Sequence, residues 1–171
     1  MDFNTAFTRL MVSEGGYSNN PADPGNWTGG RVNAGELRGT KYGIAANTYP
    51  HLNIEALTRD NAIAIYKRDW WDRIHADQLD DGVAFQLLDA AINSGVAQAT
   101  RFLQRAVGVA DDGVWGDVSQ AALAKMYETD VILRFLAQRI EFMCKLSTFD
   151  KFGRGWMRRI AANLEYAAID S

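Results

Sequence analysis

Two carboxylates open the chemical reading of this chain. Glu14 ends the helix-forming run "MDFNTAFTRLMVSE", and Asp23 follows after eight residues, inside "SEGGYSNNPADPGNWTGG". Two carboxyl groups facing each other across a cleft are the minimal equipment for glycoside hydrolysis. One protonates the leaving oxygen; the other activates or positions water, or stabilises positive charge on the sugar. Taken singly, each residue also has a plainer reading. A Glu at a helix end is commonly just solvated, and Asp is common in turns such as "PADPG". Glu14 has one further property. The C-terminal end of a helix is partially negative, and burial against the Phe7 and Leu10 face would disfavour the ionised form again. Both effects raise the expected pKa towards the range of a general acid.

Other chemistries find less support. The two histidines, His51 and His75, have no zinc-ligand spacing, and no nucleophile elbow occurs. The glycines follow a helix instead of opening one, so no phosphate-binding loop is indicated. Cys144 is the sole cysteine, which excludes an internal disulfide, and its setting in "EFMCKL" predicts a buried structural thiol. No metal site and no cofactor are expected, since a carboxyl pair suffices. The net charge of −3 gives no support for a nucleic-acid partner. No apolar run approaches the ~20 residues of a membrane helix, and the N-terminus does not read as a signal peptide. We therefore expect no stable membrane insertion.

The elements that must position these groups are mostly helical. Phe3, Phe7, Leu10 and Met11 recur at helical spacing, with Glu14 continuing that face and Gly15 and Gly16 ending the helix. Residues 15–43 hold eight of the fifteen glycines and two of the three prolines, which predicts turns and short antiparallel strands. From Leu57 onward the chain reads as helices. Ile63, Tyr66, Trp70 and Ile74 mark one face; Phe85, Leu88 and Ile92 another; Phe102, Leu103 and Ala106 a third. "VADDGVWGDVS" is a turn-rich connection before a short helix near Ser119–Tyr127. Ile132, Leu136, Ile140 and Met143 mark a long buried helix, and "FGRGWMRRIAANLEYAAI" a last one. The fold class is thus mainly α, with a small irregular or β lobe near the N-terminus.

With the elements in place, the motifs resemble a known family. "EGGYSNNPADPG" followed by "TKYGIA" resembles the E-G-G-Y…D-P…T-x-x-G-I signature of glycoside hydrolase family 108, and "KFGRGWMRRI" resembles its F-x-x-G-W-x-x-R segment. "LLDAAINSGVAQATRFLQRAVGVADDGVWGDVSQAALA" resembles the peptidoglycan-binding region paired with that domain. The resemblance implies a lysozyme-like helical fold that cleaves the β-1,4 bond after N-acetylmuramic acid. Glu14 matches the family's catalytic Glu. Similarity to phage lysozymes implies that Asp23 and Thr40 hold the attacking water. Residues 25–39, "GNWTGGRVNAGELRG", are longer than the usual link between that Asp and Thr. Thr28 or Glu36 are therefore alternatives to Thr40, and the insertion is a candidate substrate-contacting flap.

Substrate-binding candidates are Tyr17, beside the acid, Tyr42, and Asn93 at a helix end before Gly95. Trp115 and Trp156 adjoin glycines and have two readings, core packing or stacking on sugar rings. Lys145, Lys151, Arg154, Arg158 and Arg159 form a basic cluster, either a solvated face or an attraction to an anionic wall or lipid surface. The expectation is one lysozyme-like domain over residues 1–171, with the catalytic signature in 1–92 and the wall-binding-like helices in 93–171. The expected protein is a monomeric endolysin acting on peptidoglycan glycan strands. It would be held in the bacterial cytoplasm until release to the wall. A lytic transglycosylase and a non-catalytic wall-binding or secretion accessory protein are the alternatives.

Overall fold

The computed structural model describes residues 1–11 and 16–170. Its seven described α-helices and one small two-stranded sheet make a mainly α fold with a small β-containing lobe near the N-terminus, as the sequence predicts. The chain forms two compact units: residues 3–68, and residues 69–171 together with Met1 and Asp2. The division falls between Arg68 and Asp69. Between residues 92 and 93, where the resemblance separates its two regions, the chain is inside a continuous helix.

The first unit begins with α1 (Phe3–Met11), which buries Phe3, Ala6 and Phe7. α2 (Arg59–Tyr66) starts at Thr58, whose side chain accepts the Asn61 N–H while Asn61 reaches back to the Thr58 N–H. This reciprocal cap satisfies two of the helix's orphan donors. Phe7 meets Tyr66 edge-on, with ring centroids 5.4 Å apart. Between α1 and α2 lies the glycine-rich lobe. Strands β1 (Thr40–Lys41) and β2 (Ile44–Ala45) pair antiparallel, Thr40 with Ala45. Tyr42 and Gly43 turn the corner at φ values of 52° and 72°. Two positive-φ residues match the right-handed twist of a two-residue hairpin.

The run from Ile63 to Ile74 is not one helix. After α2 the backbone widens into a π turn over Lys67–Trp71 and then tightens to a 3-10 turn over Asp72–Ile74, ended by His75 in the left-handed region. The changes of pitch rotate the apolar positions. Trp71 is fully buried, and Trp70 only partly.

The second unit is built round α3 (Asp81–Ser94), buried at every position from Gly82 to Ala91. It packs with α4 (Val96–Ala106), α6 (Glu128–Cys144) and α7 (Phe149–Asp170). The short helix is α5 (Asp117–Leu123), and Tyr127 is the exposed residue preceding α6. Gln104 latches the connection from α4 to α5. Its Nε2 donates to Asp112 Oδ1 at 2.7 Å, and its Oε1 accepts the Gly113 N–H at 2.8 Å. Cys144 is exposed, contrary to the sequence expectation. The apolar stripe of α6 reaches Met143, and the next residue is rotated about 100° off it at the helix end.

A helix buried all round cannot leave a carboxylate unpaired. Asp89 Oδ1 accepts from Arg159 Nε and Nη2 at 2.8 and 2.7 Å, and Oδ2 from Arg139 Nη2 and Asn163 Nδ2, each at 2.8 Å. Burial pushes the Asp89 pKa up, but the two guanidiniums and the hydrogen bonds outweigh it and hold the carboxyl below its ordinary value. Arg159 therefore leaves the basic face expected from the sequence and serves the interior. Lys145, Lys151, Arg154 and Arg158 stay exposed.

Two predictions follow from this core. Asp89→Asn leaves Arg139 charged and unpaired, which should cost roughly 3–5 kcal/mol. Because the folded pKa of Asp89 is depressed, its contribution is present above its ordinary value of 3.8 and lost as pH falls through the folded value. Urea midpoints across that acid range should therefore fall more steeply for the native chain than for Asp89→Asn; parallel curves would contradict the assignment. Secondly, a chain ending at Ala110 lacks α6 and α7, which cover α3 and α4. Circular dichroism should show that α3 and α4 do not fold in that fragment.

Candidate functional site

Glu14, the acid of the sequence reading, lies outside the described residues. The other candidates fall in described segments, and the glycine-rich lobe shows how two of them are fixed.

Asp23 caps a 3-10 turn over Pro24–Asn26. Its Oδ1 accepts the Gly25 N–H at 2.8 Å. Proline suits the start of such a turn, since its φ is preset and it has no N–H to satisfy. The side chain is exposed, and Oδ2 has no protein hydrogen bond among the described residues. Asn26 ends the turn and is fully buried. Its Nδ2 donates to the Asn20 carbonyl at 3.0 Å, and its Oδ1 accepts the Thr40 hydroxyl at 2.7 Å. Its own carbonyl takes the N–H groups of Arg38 and Gly39. Asn26 thus bolts the Asp23 turn to β1, where Thr40 is also held by exchanged backbone hydrogen bonds with Ser18.

This bonding has a chemical consequence. A threonine hydroxyl has one proton to donate, and here Asn26 takes it. The remaining capacity of Thr40 Oγ1 is as an acceptor. Asp23 Oδ2 is an acceptor too when ionised. Asp23, just before the turn, and Thr40 of β1, bonded to the turn's last residue, are thus each left with an acceptor that can take a proton of a donor such as water.

The insertion at 25–39 folds as its own small hairpin. Trp27 bridges Leu37, the Thr28 N–H donates to the Glu36 carbonyl, and the Gly29 N–H to the Ala34 carbonyl. Thr28 Oγ1 accepts the Glu36 N–H, and the Glu36 carboxylate pairs with Arg38 at 2.7 Å. Both alternatives to Thr40 are thereby engaged within the hairpin. Arg38 in turn donates to the Pro50 carbonyl and ties the hairpin to the following loop.

Tyr17 is half-buried, and its hydroxyl donates to the Arg38 carbonyl at 3.3 Å. It lines a cleft of about 380 Å³ with Leu37, Arg38, His51, Asn53 and Glu55. Gly39 makes this possible. It sits at φ 79°, and a Cβ there would lie 2.5 Å from the Ser18 carbonyl oxygen and 2.6 Å from the Tyr17 ring. Tyr42 is half-buried, its carbonyl accepting the Tyr66 hydroxyl and Lys41 Nζ lying 5.6 Å from its ring centre. Asn93 belongs to the other unit, near the end of α3, where its Nδ2 donates to the Asp89 carbonyl. Asn26 is the residue that sequence reasoning missed. Its signal was an asparagine beside Pro-Gly in a segment otherwise too polar to make a core. Among the described residues no group of three or more His, Cys, Asp or Glu side chains could hold a metal ion.

The model of the family Glycosyl hydrolase 108 matches residues 7–95, just over half of the chain. The matched span contains Glu14, Tyr17, Asp23, Thr40, Tyr42 and Asn93. The structure of SagA from Brucella abortus is similar over 99% of this chain and 95% of that one, with 33% identity and a TM-score of 0.83. No curated protein sequence matches. The chain belongs to glycosyl hydrolase family 108, and is a glycoside hydrolase.

The bolt can be tested directly. Asn26→Ala removes the partner of the Thr40 hydroxyl and the donor to Asn20, at a cost of about 1–3 kcal/mol. Urea denaturation should show this loss, with a smaller one for Thr40→Ser, which keeps the hydroxyl. An unchanged midpoint in Asn26→Ala would show that the turn is held by other means.

Proposed function

We propose that this glycoside hydrolase is a muramidase. It would hydrolyse the β-1,4 bond between N-acetylmuramic acid and N-acetylglucosamine in bacterial peptidoglycan. The carrying observation is the Asp23–Asn26–Thr40 arrangement, in which the threonine proton is spent inward and two acceptors are left for a water. Family membership and the match of Glu14 to the family's acid support the remainder.

In the proposed reaction Glu14 donates its proton to the glycosidic oxygen as the C1–O bond breaks. Water donates hydrogen bonds to Thr40 Oγ1 and to the Asp23 carboxylate. Its oxygen attacks C1 from the opposite face, and Asp23 takes the proton released. The product is a reducing end of inverted configuration. Before the next turnover Glu14, left ionised, regains a proton from solvent, and Asp23 releases its proton to solvent. Tyr17, Tyr42 and Asn93 are proposed substrate contacts, and the 25–39 hairpin a wall to the glycan path. Cell-wall strands as partner, and release from the cytoplasm as an endolysin, are parts of the same proposal.

Glu14→Gln should lower glycan cleavage about 100- to 10,000-fold, the usual worth of a general acid, with the circular dichroism spectrum unchanged. Near-native turnover would remove Glu14 from this role. Asp23→Asn should also lower turnover strongly. Product analysis on purified peptidoglycan separates the alternatives. Reducing ends of inverted configuration are expected. Retained configuration would overturn the water-attack route, 1,6-anhydro ends would indicate a transglycosylase, and no new ends would indicate binding alone.

A further inference from the structure

The cleft beside Tyr17 is lined by two stretches of the first unit: Tyr17 with Leu37 and Arg38, and the loop from His51 to Glu55. One residue is bonded to both sides. The Arg38 carbonyl accepts the Tyr17 hydroxyl at 3.3 Å, and Arg38 Nη1 donates to the Pro50 carbonyl at 2.9 Å. Pro50 immediately precedes the loop, so this bond fixes where the loop starts; Ile54, fully buried, roots it further on. The guanidinium is itself aimed, since its Nε and Nη2 both reach Glu36 Oε2 at 2.7 Å. With one edge of a rigid planar group held, the direction of the remaining Nη1 is set. A lysine has no such fork and could not hold both acceptors in a fixed relation. The ion pair is substantially exposed, and pairs of that kind add little to stability. What it fixes is geometry.

The loop side carries unspent polar capacity. Asn53 Oδ1 accepts the Ala56 N–H, which leaves the Nδ2 protons, and the side chains of His51 and Glu55 make no hydrogen bond among the described residues. These groups face a cleft that the half-buried Tyr17 ring also lines. A ring face beside several donors and acceptors suits a sugar unit, whose hydroxyls both give and accept protons. We infer that Arg38 is a positioning residue for substrate binding. Its guanidinium splints the 51–55 loop to the Tyr17 side, so that one amino-sugar unit of the glycan meets both. The inference rests on the proposed reading of Tyr17 as a glycan contact. Arg38 itself touches no reacting atom, and its charge is spent on Glu36.

Three variants of the full chain test it: Arg38→Met, Arg38→Lys and Tyr17→Ala. Two readouts are taken, the Kd for the N-acetylglucosamine trimer by titration calorimetry, which needs no turnover, and KM and kcat on soluble, uncrosslinked glycan strands. Arg38→Met should melt close to the native chain by circular dichroism, while Kd and KM rise roughly 2- to 10-fold, the worth of one aromatic contact. Its kcat should hold, the pattern of lost uniform binding. Arg38→Lys should be impaired to a similar degree, because it keeps the charge and loses the fork. Native affinity in Arg38→Lys would make charge the cause and overturn the splint. So would native Kd and KM in Arg38→Met, or a fall in kcat alone. Tyr17→Ala separates the two readings. A weakened Tyr17→Ala beside a native Arg38→Met would keep the glycan contact and remove the splint. A native Tyr17→Ala beside a weakened Arg38→Met would keep the splint, acting through the 51–55 loop, and remove Tyr17 from the substrate contacts.

Discussion

The lobe that holds Asp23 and Thr40 depends on one buried amide. Asn26 is fully buried in a segment with few apolar residues, and every polar atom it brings inside must find a partner. Its side chain and carbonyl together engage Asn20, Arg38, Gly39 and Thr40. Short strands of two residues cannot define a lobe by their own ladder. The asparagine supplies the cross-links that a longer sheet would have supplied. It also decides chemistry, because the bond that fixes Thr40 in place is the bond that consumes its proton.

The second unit solves the same problem with charge. α3 is surrounded, so Asp89 in its centre needs donors from other helices, and takes them from α6 and α7. A buried ion pair is weak evidence for net stability, since desolvating both partners offsets much of their attraction. Its contribution is better described as register. Arg139, Arg159 and Asn163 can meet Asp89 together only if α6 and α7 lie at one rotation and one height against α3. Apolar side chains alone would tolerate a slip.

Much of this was legible in the sequence. The helical periodicities located α3, α4, α6 and α7, because burial on a helix face repeats with the helix turn. The glycine and proline content marked the lobe. Asp89, in "LLDAA", lies inside an apolar helical run with no turn or cap beside it to mark a chemical role. A lone Asp in an apolar helical run is itself a signal of a buried partner. Arg159 was assigned to a basic surface because sequence proximity to Arg154 and Arg158 says nothing of which side of α7 each occupies. The break after Tyr66 was hidden because a π turn keeps apolar residues coming at nearly helical intervals. Cys144 shows the converse error. Its neighbours are apolar, but it falls one position past the stripe.

The relation between Asn26 and Thr40 also bears on why a threonine, and not another small residue, stands at position 40. Alanine or valine would leave the Asn26 oxygen buried without a donor. Serine would donate, but it lacks the branching that restricts χ1, so its hydroxyl would be less firmly aimed. Threonine at a strand position satisfies Asn26 and keeps its oxygen at one orientation. The inward-facing hydrogen bond therefore fixes Thr40 and at the same time leaves its oxygen free to act as an acceptor.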